Sequence, residues 1–283
     1  MGEAARLTAP DEGEPAAGLD PADWDVFGAA AHAALERSLA RLRHIGEGPV
    51  WTPTPAGVRR RFETPLPRRA RDFEAVLDDV ERLIAPYAVG NTHPRFFGWA
   101  HGAGTPAGMV AELLAAGLNA NCGGRDHIGP VVERQAALWA AEAFGFPRES
   151  SGVFVTGSSQ ANFLGLLAAR DAALGHEVRA KGLRAGGRQL CAYGSVEAHA
   201  CVRQAMELAG VGADFLRRVA TDASGAMDPN ELRRAIAADR AAGLTPFLVV
   251  GTAGGVNFGA FDDLAVLADI AEAEALWLHV DGA

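Results

Sequence analysis

Residues 153–170 read VFVTGSSQANFLGLLAAR. An apolar, β-branched run meets Thr156-Gly157-Ser158-Ser159, and a helical pattern begins at once. That succession of strand, short polar loop and helix repeats down the chain. Further apolar runs at 189–193, 215–220, 247–251 and 276–280 alternate with helical stretches at 160–174, 198–208, 229–242 and 262–274. Counting 152–156 as the first strand, the pattern predicts βαβ units and a mostly parallel sheet covered on both faces, an α/β fold. In such sheets ligands bind beyond the carboxyl ends of the strands, so the loops after each strand are where chemistry is expected.

Four of those loops carry suitable residues. Gly157, Ser158 and Ser159 open a helix, where free N–H groups and two hydroxyls suit a phosphate; helix capping by serine is the plainer use of the same residues. Gly157-Ser158-Ser159-Gln160-Ala161 also approaches a nucleophile elbow with Ser159 as the nucleophile, although Ala161 stands where that motif ends in glycine. The second loop places His199 at the start of a helix, as a packing residue, an aromatic face for a flat ligand or a proton shuttle. The third, GTAGGVNFGAFDDL at 251–264, has the glycines for tight turns and close ligand approach but lacks a dinucleotide fingerprint. The fourth, WLHVDGA at 277–283, delivers Asp281 to the end of an apolar strand, where a carboxylate needs water, a metal or a cation.

N-terminal to this pattern the chain reads differently. Residues 1–19 are acidic and rich in Pro and Gly, as in a flexible tail, without the apolar core of an export signal. Residues 20–90 form an expected arm: a helix opened by Asp20-Pro21, a proline-rich extended stretch carrying Arg59-Arg60-Arg61, and an amphipathic helix over 73–84. Helices are also expected from Thr105-Pro106 to about 119 and from Gly129-Pro130 to about 145.

Composition excludes several classes of function. The 283 residues carry 35 acidic and 26 basic side chains, a net charge of −9, which disfavours nucleic acid as the main partner. The uncharged stretch from 241 to 261 is broken by five glycines and a proline, a poor membrane helix. Three cysteines without a C-x-x-C pair and eight histidines without metal-ligand spacing predict a reduced, cytoplasmic protein with no structural metal. Lys181 is the only lysine.

In combination, VFVTGSSQAN, the histidine of SVEAHACV and the terminal WLHVDGA resemble the pyridoxal-phosphate-dependent amino-acid decarboxylases, the group of the aromatic-amino-acid and glutamate decarboxylases. HPRFFGW at 93–99 and NANCGGRDH at 119–127 also look like its segments. The order and spacing of these motifs hold from about residue 93 to the last residue. The resemblance implies a partial aminotransferase-like large domain over 91–283, pyridoxal 5'-phosphate as cofactor, an amino acid as substrate, and a homodimer in the full-length form. It implies that Gly157, Ser158 and Ser159 hold the cofactor phosphate, that His199 stacks on the ring, that Asp281 pairs with the ring nitrogen, and that Thr252 and Ala283 lie beside the ring. Phe96, Phe97, Trp99 and His101 are expected on the substrate side or in the arm; as aromatics they also suit a core.

Departures accompany the likeness. Gly255 and Val256 stand where better-known members have threonines, and GGRDH at 123–127 differs from the aromatic-type enzymes. The lysine that carries the cofactor in that family lies beyond the aspartate, and Lys181 sits in RAKGLRAGG, on the expected amino-end side of the sheet. The chain is therefore expected to be an incomplete decarboxylase, a fragment or a natural truncation. The rival expectations are an α/β hydrolase using Ser159 with His279 and Asp281, and an inactive scaffold that dimerises through the arm.

Overall fold

The structure is a computed structural model that describes residues 18, 20–99, 101–121, 123, 126–183 and 187–283. The expected tail lies outside these residues except for Gly18, and so do Cys122, Gly124 and Arg125 of the NANCGGRDH segment. The chain divides into two units, Met1–Leu118 and Asn119–Ala283.

In the first unit, α1 (Trp24–Arg43), α2 (Ala56–Arg60), α3 (Phe73–Asp79) and α4 (Pro106–Leu118) are linked by turns and extended chain. The first helix starts later than Asp20-Pro21 suggests. Asp23 is its cap, with Oδ1 accepting from Asp25 N–H at 2.9 Å and Val26 N–H at 3.0 Å, which satisfies two donors that have no partner inside the helix. Phe27 of α1 meets Phe73 of α3 with ring centroids 4.8 Å apart. The expected helix over 73–84 changes character after Asp79, where Val80–Ile84 winds as a π-helix. Ala30 is the only buried hydrophobic side chain among the described residues of this unit, so little core holds it.

The second unit contains α5 (Gly129–Ala143), α6 (Ser158–Leu174), the short α7 (Val178–Lys181), α8 (Ala200–Leu208), α9 (Pro229–Ala241) and α10 (Leu264–Ala273). Four strands, β1 (Leu190–Ser195), β2 (Leu216–Val219), β3 (Thr245–Thr252) and β4 (Trp277–Asp281), form one parallel sheet in the order β2-β1-β3-β4. The chain goes from β1 to one side, then crosses to the other side for β3 and β4. That reversal opens the crevice between the ends of β1 and β3.

Alternation along the strands assigns the layers. Leu190, Ala192, Leu248 and Val250 pack with Leu166 and Ala169 of α6 and Cys201, Val202 and Met206 of α8. Cys191, Tyr193 and Val249 pack with Leu232 and Ile236 of α9 and Leu267 and Ile270 of α10. Leu248, Val249 and Val250 are fully or almost fully buried, as expected for a central parallel strand covered twice. Each contributes about 1.5–3 kcal/mol of hydrophobic stabilisation.

The expected first strand is corrected. Residues 152–156 form no strand and pair with none among the described residues, and Val153 and Phe154 are 62% and 61% exposed. Phe154 N–H donates to the side chain of Glu133 at 3.0 Å instead of to a ladder. β-propensity describes fit to a sheet surface; without a neighbouring strand it does not by itself make a strand.

Candidate active site

Three junctions converge on one end of the sheet. The start of α6 is one of them, and Asn162, one turn in, bonds to His279 of β4 and Cys201 of α8. Ser158 and Ser159 lead that helix with no side-chain cap, so their N–H groups face outward unpaired within the helix. Both serines are exposed, and a Cβ built on Gly157 would meet nothing within 4 Å, leaving open space for a ligand against the backbone.

His199 closes the second junction. It caps α8 rather than sitting inside its first turn: Nδ1 accepts from Cys201 N–H at 3.2 Å. In the neutral ring Nε2 then carries the proton, and the exposed imidazole presents its other face to solvent.

The third junction joins Thr252 and Asp281, register partners at the ends of β3 and β4. Asp281 is 7% exposed, and its Oδ1 accepts from Ala283 N–H at 3.2 Å. No ion pair to it forms among the described residues. A nearly buried carboxylate with one neutral donor is expensive unless a cation joins it. Thr252 Oγ1 is buried and lacks a hydrogen-bond partner among the described residues. An orphaned hydroxyl, an uncompensated carboxylate and an open helix N-terminus fit a ligand with a hydrogen-bonding ring, a cationic nitrogen and an anion.

Asp262 shapes the glycine-rich loop between those strands. Its Oδ1 accepts from Met227 N–H and its Oδ2 from Thr252 N–H, each at 2.7 Å. Gly254 and Gly259 turn the loop with φ of 89° and 65°, values open chiefly to glycine. Sequence reasoning placed this aspartate in a motif without giving it a role, and it did not single out Asn162. The signal for both was present: polar residues inside otherwise apolar packing segments.

The remaining candidates fall elsewhere. Phe96, Trp99 and His101 form a cluster in the first unit, with Phe96 and His101 stacked at 5.7 Å and Trp99 5.6 Å from His101. Phe97 stands apart from it, 92% exposed. Lys181 is exposed in α7 and donates to Glu177 at 2.6 Å; α7 follows the helix that runs back from the rim, so it leads into β1 from the amino end. A hydrolase arrangement is not formed, since the Nε2 of His279 is engaged with Asn162 rather than with Ser159. No cluster able to hold a metal occurs among the described residues, and none of their helices is long and apolar enough to cross a membrane.

Comparison with known proteins gives the family and the fold. A family described as "Pyridoxal-dependent decarboxylase conserved domain" matches residues 55–283. The chain belongs to this pyridoxal-dependent decarboxylase family. It is 28% identical to an aromatic-L-amino-acid decarboxylase of Bacillus atrophaeus over 88% of this chain and 51% of that protein. The aromatic-L-amino-acid decarboxylase of Bos taurus is 32% identical over 81% of this chain and 49% of its own length. The crystal structure of mouse CSAD superposes with a TM-score of 0.81 at 26% identity, covering 91% of this chain and 55% of that one. The fold is thus the aminotransferase-like α/β fold of these decarboxylases, and the chain spans about half the length of the curated relatives it matches.

Proposed function

We propose that this chain forms the cofactor-binding part of a pyridoxal-phosphate-dependent decarboxylase acting on an amino acid. The observation that carries the reading is Asp281, a 7% exposed carboxylate at a strand end with no cation beside it among the described residues. Bound pyridoxal phosphate supplies an electron sink for the electron pair left at the α-carbon when CO₂ departs.

The chain's own residues have separable tasks in this reading. The N–H groups and hydroxyls of Ser158 and Ser159, with the Gly157 backbone, bind the phosphate at the positive end of α6. His199 offers its imidazole face to the ring. Asp281 accepts a hydrogen bond from the protonated ring nitrogen and keeps the proton there. Thr252 Oγ1 gains the partner it lacks, and Ala283 lies against the ring without bulk.

Lys181 does not supply the amine that carries the cofactor, because it is engaged with Glu177 away from the strand ends. The whole protein is proposed to complete the site with another lysine and to work as a homodimer, which the exposed Leu113, Leu114 and Leu118 of α4 support. Buried, unpaired Cys191 and Cys201 support a cytoplasmic setting.

Titration with pyridoxamine 5'-phosphate tests the reading, since this analogue keeps the ring nitrogen and phosphate but has no aldehyde to modify Lys181. Calorimetry is expected to show binding that Asp281→Ala weakens about tenfold or more, the worth of one charge-assisted hydrogen bond. Absence of binding by the unmodified chain overturns it.

A further inference from the structure

The groups that face the candidate ligand do not account for the polar chain beneath them. Asn162 is 5% exposed, its Oδ1 lies 2.7 Å from His279 Nε2, and its Nδ2 donates to Cys201 Sγ at 3.2 Å. Each partner sits two residues from a site residue: Cys201 from His199 and His279 from Asp281. Because side chains alternate along a strand, His279 and Asp281 share the face of β4 that α6 covers. Gly165 lets that helix close over the imidazole; a Cβ there would lie 2.6 Å from ring atoms Cε1 and Nδ1.

An amide oxygen only accepts, so the ring nitrogen facing it carries the proton. Burial lowers the pKa of His279, with the Asp281 charge acting in the opposite sense. Released from Asn162, the imidazole has one charged neighbour to turn toward, Asp281. A histidine bonded to that carboxylate competes with any ligand cation for it.

We propose that Asn162 is a positioning residue: it holds His279 as the neutral Nε2–H imidazole turned away from Asp281, reserving that carboxylate for the ring nitrogen of the cofactor. This role rests on the cofactor reading above. It assigns work to a residue that touches neither cofactor nor substrate.

The test uses the 283-residue chain, ¹⁵N-labelled, with histidine ring signals assigned through His279→Leu. The unmodified chain is expected to show His279 as the Nε2–H tautomer. Asn162→Leu, similar in size but unable to hydrogen-bond, is expected to move that signal and weaken pyridoxamine 5'-phosphate binding about tenfold. Affinity for inorganic phosphate, held at the start of α6, stays unchanged. Adding His279→Leu to Asn162→Leu removes the competitor and restores binding, which a purely structural role for Asn162 does not predict. If Asn162→Leu does not melt cooperatively, Asn162→Ser replaces it in the same cycle. A Nδ1–H or doubly protonated His279 in the unmodified chain, or a loss that the double variant fails to recover, overturns the role. An unmodified chain that binds no pyridoxamine 5'-phosphate overturns the cofactor reading and this role together, whatever the tautomer.

Discussion

Asp262 and Thr252 are bonded in both directions: Thr252 N–H donates to Asp262 Oδ2 at 2.7 Å, and Asp262 N–H donates to the Thr252 carbonyl at 2.9 Å. Together they close the glycine-rich loop onto the end of β3, and the second carboxylate oxygen reaches Met227 N–H at 2.7 Å. Asp262→Asn turns one acceptor into a donor against a backbone N–H in a buried place. It is expected to lose about 3 kcal/mol of stability, the combined worth of a charge-assisted bond and an unsatisfied donor. Urea unfolding measures it, and an unchanged midpoint contradicts the pairing.

Gly165→Ala tests the contact between α6 and His279. In an exposed helix alanine would stabilise by about 1 kcal/mol. Here the added methyl would lie 2.6 Å from the ring, which Asn162 prevents from moving aside. Net destabilisation of about 1–3 kcal/mol is expected from overpacking. Gly157→Ala, with nothing within 4 Å, should leave the melting temperature within a degree or two of the parent by the same reasoning. Thermal melts of the two variants side by side decide the matter.

On the opposite face of the sheet, Asp239 accepts from Tyr193 OH at 2.9 Å and from both Nε and Nη2 of Arg217. Burial alone would raise the Asp239 pKa, but the bonds from Arg217 and Tyr193 outweigh it and hold the carboxyl below its ordinary 3.8. The fold therefore gains stability from this group above that pH and loses it as pH falls through the lower folded value. Asp239→Asn should flatten the acid limb of a stability–pH curve below about pH 4. Tyr193→Phe removes one of the bonds that lower this pKa but leaves Arg217, so it should shallow that limb only in part and lose about 1 kcal/mol at neutral pH.

His279 gives a second pH signature with a different window. Burial, partly offset by Asp281, depresses its pKa below the ordinary 6.5. The unfolded chain then takes up a proton first, so this contribution is complete above pH 6.5 and drains as pH falls below it. His279→Gln, which keeps a donor for Asn162 but cannot titrate, should lose that dependence. Denaturation midpoints read between pH 5 and 7.5 check it; a parallel slope in both proteins contradicts a depressed histidine.

Much of the candidate site is legible in the sequence because its signals are local. Gly157-Ser158-Ser159 before a helical run, His199 after an apolar run, and Asp281 closing another can each be read in a window of a few residues. Helix boundaries came out nearly as expected for the same reason, although Asp23 rather than Asp20 caps α1 and His199 caps α8 rather than lying within it. The segment 152–156 shows the opposite case. Its composition is that of a strand, but pairing is a property of neighbours, and no strand of the described residues lies against it.

By itself, the order of residues determined that this chain alternates strands and helices, which loops carry polar groups to the strand ends, and which family those motifs resemble. Tertiary structure decided what those groups are bonded to. Only the packing of α6 against α8 and β4 shows that Asn162 links Cys201 to His279 across 39 and 117 residues of sequence. Only the sheet order β2-β1-β3-β4 sets Thr252 beside Asp281. Periodicity is written in neighbouring residues, whereas hydrogen-bond partners and burial depend on which distant segments the hydrophobic core brings together.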